Sequence, residues 1–146
     1  MIKTPLRYPG GKSLAIKQIG PRIPSFDEYR EPFIGGGSVF IHCRQNFPDK
    51  KFWINDIYVK LFKFWEMAQK DMEGLINQIW IWRRKFKNGR VLHRFLLDNI
   101  SEFSDLEIGA SFFILIESPF LVQVKAVDFQ YKLFKSVLQN RVLIGL

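Results

Sequence analysis

The chain has 146 residues, 47% of them hydrophobic and 25% charged, which suits one packed core and excludes a disordered chain. Its formal net charge of +8 favours an anionic partner, nucleic acid or a membrane surface, without choosing between them. Cys43 is the only cysteine, so an internal disulfide is excluded and a small buried side chain is expected there. The N-terminal stretch lacks the apolar core of a signal peptide, and the run from Phe112 to Ile116 is too short to span a bilayer. A soluble, cytoplasmic protein is the expectation.

The turn "YPGG" opens the chain and a short helix is expected from Lys12 to Ile19, broken by Pro21 and Pro24. A strand over Tyr29 to Phe33 then runs into three glycines, and Ser38 to Phe47 reads as the following helix. A second strand, "KFWIN", ends at Asp56, after which Ile57, Leu61, Phe64, Trp65 and Ala68 recur at helical spacing. Strand, helix, strand, helix predicts an α/β fold with a parallel sheet.

After Lys70 the pattern turns helical. Met72 to Phe86 is one expected helix, "KNGR" a turn, and helices follow over Val91 to Ile100, Leu106 to Ile116 and Ala126 to Leu138. The closing "RVLIGL" reads as one more strand.

A glycine turn between strand and helix lets a ligand approach the backbone, and the helix N-terminus beyond it favours negative charge. "EPFIGGGSVF" keeps only the first two glycines of the dinucleotide fingerprint, as Gly35 and Gly37, with Phe40 in place of the third. Asp56 follows Gly37 by 19 residues, where an acidic side chain can hold ribose hydroxyls or, alternatively, cap the next helix. "PGGKS" has Leu6 where a P-loop needs its first glycine, so Lys12 is either a solvated lysine or a group that reaches a carboxylate.

Arg83, Arg84, Lys85, Lys87, Arg90, His93 and Arg94 alternate with Trp80, Trp82 and Phe86. That mixture serves either phosphate contact with base stacking, or a solvated helix face over an aromatic core. His42 and His93 have no metal-ligand spacing, and no metal site is expected.

Together "PLRYPGGKS", "EPFIGGGSVF" and "INDIY", in this order and spacing, resemble the Dam-like (D12 class) DNA adenine-N6 methyltransferases. The resemblance implies a Rossmann-like methyltransferase core carrying a mostly helical target-recognition insertion. It implies S-adenosylmethionine as cofactor, contacted by Tyr8, Lys12, Phe33, Gly35, Gly37, Ser38 and Asp56. It implies double-stranded DNA as partner, facing Arg83, Arg84, Lys85, Lys87, Arg90 and Arg94. On that plan residues 1–70 are the cofactor-binding part of the core, 71–125 the DNA-recognition insertion and 126–146 a return to a truncated core.

The family's catalytic [DNS]-P-P-[YFW] motif is not found, since none of the seven prolines is followed by another; Ser118, Pro119 and Phe120 come nearest. The expectation is therefore a truncated enzyme or one half of a split enzyme, completed by a second chain and inactive alone, with no catalytic residue of its own. The alternative is a non-catalytic DNA-binding module or relic of a restriction-modification or phage methyltransferase.

Overall fold

The computed structural model describes residues 2–117 and 142–144. They fall into two units, residues 2–57 with 142–144, and residues 58–117.

The first unit is built on a parallel sheet of three strands in the order β1 (Glu28–Glu31), β2 (Lys51–Ile54) and β3 (Val142–Ile144). The last of these is the strand expected in "RVLIGL". Hydrogen bonding between β1 and β2 continues beyond the strands, with Asn55 N–H donating to Glu31 O (2.9 Å) and Ile34 N–H to Asn55 O (2.9 Å). That continuation carries the glycine turn alongside Asp56.

The crossover helix α2 (Ser38–Asn46) buries Phe40, Ile41 and Cys43. Phe40 meets Phe52 of β2 edge-on at 5.8 Å, and Phe26 meets Phe47 at 5.0 Å, so aromatic contacts form much of this core. Cys43 is fully buried, and burial with the nearby Glu31 pushes its thiol up to about 11, so it packs as a neutral side chain. Of the helix expected over Lys12 to Ile19 only Ile16–Ile19 is α-helical (α1), and Gly20 and Pro21 lead on into a 3₁₀ turn.

Gln45 fastens the start of the chain to α2. Gln45 accepts from Ile2 N–H (2.7 Å) and donates to Ile2 O (2.9 Å) and Ile41 O (3.1 Å).

The second unit is helical: α3 (Val59–Lys70), α4 (Met72–Lys85), α5 (Gly89–Asn99) and α6 (Asp105–Ile116). Helix α3 begins two residues later than its apolar spacing suggests, leaving Ile57 outside it and 83% exposed. Its inner face, with Leu61, Phe64, Trp65 and Ala68 buried, packs on α6. This packing groups α3 with the later helices in one unit.

At the contact a Cβ on Gly109 would lie 3.0 Å from Lys63 O and 3.2 Å from Phe64 Cα, so the absence of a side chain there sets how near α3 and α6 approach. Phe64 and Phe113 stack beside it at 5.9 Å. Helix starts are specified locally. Asp71 accepts from Gly74 N–H, Asn88 from Arg90 N–H, and Ser104 with Glu107 forms a capping box at α6. Of the turn expected at "KNGR", Lys87 and Asn88 lie in the α4 to α5 connection, while Gly89 and Arg90 begin α5 with Asn88 as its N-cap.

No helix among the described residues is long and apolar enough to cross a membrane. The helix expected over Ala126 to Leu138, and the Ser118, Pro119, Phe120 stretch, lie outside the described residues.

Candidate functional site

The glycine turn is shaped by backbone that side chains resist. Gly35 has φ 49° and Gly37 φ 67°, both in the left-handed region, and Gly37 N–H closes the turn on Ile34 O at 2.8 Å. Gly37 is also the N-cap of α2, so the turn passes directly into the helix. Asp56 holds it from the other side, its Oδ2 accepting Gly35 N–H at 2.9 Å. Within the unit, Asp56 thus latches the turn rather than capping α3, which has Tyr58 at its N-cap.

The N-terminal segment forms the facing wall. Thr4 donates its hydroxyl hydrogen to Gly36 O, and Tyr8 lies against the turn so closely that a Cβ on Gly35 would sit 3.3 Å from its ring. Between wall and turn is a cleft of about 310 Å³, within the range of small-molecule sites. Tyr8, Lys12, Phe33, Gly35, Gly37 and Ser38, six of the seven residues expected to bind cofactor, line it; Asp56 does not, and reaches it through Gly35.

The lining is chemically varied. Lys12 Nζ donates to Gly10 O (2.8 Å), Ser38 shares a hydrogen bond with Ser13 (2.9 Å), and Phe33 is 71% exposed, presenting an aromatic face. These groups fit a ligand with an anionic end and a flat ring.

Glu31 also lines the cleft and was not among the expected site residues. It ends β1, accepts Tyr29 O–H at 2.8 Å, and is pushed up to about 7. Burial causes that rise and the charge of Asp56 adds to it, while the Tyr29 hydroxyl and the Phe40 amide oppose it. The signal in sequence is slight: Tyr29 and Glu31 stand two apart on a strand and so share a face.

In the helical unit the basic residues divide. Arg84, Lys85, Lys87, Arg90 and Arg94 are exposed, whereas Arg83 is half-buried, with Nε and Nη2 enclosed. Burial lowers the Arg83 pKa and Glu117 opposes that shift. Arg84 lies over Trp80 at 5.5 Å, and Lys85 over Phe86 (5.5 Å) and Phe95 (5.7 Å). Trp82 is buried, 5.1 Å from Phe103, so this aromatic belongs to the core and not to a stacking surface. A shallow depression of about 560 Å³ runs along α5 between Phe86 and Asn99, edged by Arg90 and Arg94. Among the described residues no three His, Cys, Asp or Glu side chains gather as a metal site.

Sheet, glycine turn and cleft define an α/β protein with a cleft of small-molecule size where its first strand meets its first crossover helix. Residues 8–107 match the family model described as D12 class N6 adenine-specific DNA methyltransferase, and the chain belongs to that family. It is 31% identical over 91 residues to the type II methyltransferase M.MjaIII of Methanocaldococcus jannaschii, covering 58% of this chain and 32% of that protein. It is 29% identical over 77 residues to a DNA adenine methylase of Vibrio cholerae serotype O1, covering 53% of this chain and 26% of that protein. The chain thus matches about a third or less of the length of these relatives.

Proposed function

We propose that the chain is the cofactor-binding and DNA-recognition portion of an adenine-N6 DNA methyltransferase, working in the cytoplasm. The observation that carries the cofactor half is the cleft, where a glycine turn, a lysine, an exposed phenylalanine and a serine surround one small-molecule volume. S-adenosylmethionine has the matching parts, an amino-acid end and a nucleoside, and when bound supplies an electrophilic methyl group.

In this reading Lys12 and Ser38 hold the carboxylate end beside the start of α2, and Phe33 lies against the adenine. Gly35 and Gly37 keep the floor free of side chains. Asp56 does not line the cleft but fixes its floor through Gly35. The sheet with its crossover helix is the Rossmann-like core of this reading, and the helical unit is its target-recognition insertion. Arg84, Lys85, Lys87, Arg90 and Arg94 contribute phosphate contacts that position the duplex without reading its sequence. Arg83 supports that surface from beneath.

The methyl-transfer step needs acceptors for the hydrogens of the adenine amine, and none is assigned here. A second polypeptide has no support in the described residues or the matched relatives and forms no part of the reading.

Calorimetric titration with S-adenosylmethionine tests the cofactor assignment. The wild type is expected to bind and Asp56→Ala, with its turn unlatched, to lose binding at least tenfold, about 1.4 kcal/mol. Absence of heat with folded wild type overturns the assignment.

A further inference from the structure

Helix α5 presents two neighbouring rows along the depression at its surface. Residues four apart lie above one another on a helix, so Arg90, Arg94 and Asp98 form one row, and Val91 and Phe95 the row beside it. Phe86, before the helix, lies against Phe95 at 4.7 Å and extends the apolar floor. Val91 is 54% exposed on that floor. Arg94 and Asp98 stand one turn apart, yet among the described residues neither takes part in an ion pair.

Each row constrains what can lie in the groove. The apolar floor calls for a ligand with apolar groups to bury, and the charged row for one that is anionic along two turns and cationic at the third. A duplex backbone can touch the arginines but does not fill the groove: it brings no apolar group to the floor, and its regular phosphates would set one against Asp98. A second copy of this chain is opposed by the net charge of +8 on each.

We propose that the groove docks an amphipathic helix of an acidic partner protein. Its apolar residues cover Val91, Phe86 and Phe95, two of its carboxylates meet Arg90 and Arg94, and a basic residue meets Asp98. A helix can carry this pattern, since residues four apart rise about 6 Å on either helix and the two charged rows stay in step. The occupant shares Arg90 and Arg94 with the duplex of the reading above, so the two exclude one another. The inference itself stands without that reading.

Fluorescence anisotropy of the full chain with labelled synthetic helices tests it. The probe is a capped peptide of about 20 residues, long enough to be helical. It carries leucines in one row and Glu, Glu and Lys at successive fourth positions in the next, and is made in both chain directions. One direction is expected to bind about tenfold more tightly than a scrambled peptide of the same composition. Changing its lysine to Glu should weaken binding to the wild type and not to Asp98→Asn. Val91→Ser should weaken the peptide about tenfold and leave the affinity for a DNA duplex as it was.

Peptides that bind no better than their scrambled forms, or a preference for lysine that survives in Asp98→Asn, overturn the inference. A Val91→Ser variant that loses duplex and peptide alike assigns the groove to nucleic acid and overturns it too. Absence of duplex binding counts against the DNA reading alone. The comparison with scrambled peptides needs only the folded wild type, so the inference stays refutable should a variant fail to fold.

Discussion

Asp56 and Glu31 are two carboxylates at the ends of neighbouring strands, and they bear on the cleft differently. Asp56 accepts the Gly35 amide and so shapes the backbone, whereas Glu31 is half-buried on the face it shares with Tyr29. The raised Glu31 has a consequence for stability. A carboxyl whose pKa is higher folded than unfolded binds more protons in the native state, so stability falls as pH climbs from about 4.5, the unfolded value, through about 7. Chemical denaturation of wild type should show this loss over pH 5 to 7.5. Glu31→Gln should flatten it and match or exceed wild type at the upper end, while an unchanged profile would mean that Glu31 ionises freely. Spacing along the chain was enough to single out Asp56, since 19 residues past the turn is a distance visible in one dimension. Glu31 opens the same motif, but its partial burial and the neighbouring Tyr29 hydroxyl are properties of packing that spacing does not carry.

At the scale of elements, the ends of helices are specified by short polar motifs and their faces by apolar spacing. The capping box of Ser104 and Glu107 is one case: Ser104 Oγ accepts Glu107 N–H and the Glu107 carboxylate accepts Ser104 N–H at 2.9 Å. Ser104→Ala should cost about 1 kcal/mol in urea denaturation. Lys63 bridges Glu66 and Asp105 beside the same end, but Asp105 is largely exposed, so that bridge adds at most about 1 kcal/mol. The helices were readable because Leu75, Ile79 and Trp82, or Leu92 and Leu96, recur at the helical period and are buried accordingly. Grouping them was harder. Nothing in the spacing of α3 shows that Gly109, over 40 residues on, lets α6 pack against its backbone.

For the molecule as a whole, charge is the property that reaches furthest from the surface. A net +8 with exposed Arg84, Lys85, Lys87, Arg90 and Arg94 on one helical unit should give duplex binding that weakens steeply with salt. Lys87→Ala with Arg94→Ala should reduce the slope of log affinity against log salt by about 1.8, measured by fluorescence anisotropy, and by the same amount for unrelated duplexes. Arg83→Ala should leave that slope alone and lower stability instead; a changed slope there would return Arg83 to the DNA-facing set. The cluster was legible as a run of basic letters, but its division was not, because successive residues of a helix point about 100° apart and only their packing shows which of them turns toward the core. The tether at Gln45 bears on the order of assembly. Its amide joins Ile2 to α2 across 43 residues, and Thr4 reaches Gly36 across 32. Closing loops of that span carries an entropic cost that local turns escape. A nascent chain emerging N-terminus first would therefore carry Tyr8 and Lys12 unseated until α2 had followed, and the cleft would come into being only after its own floor was built.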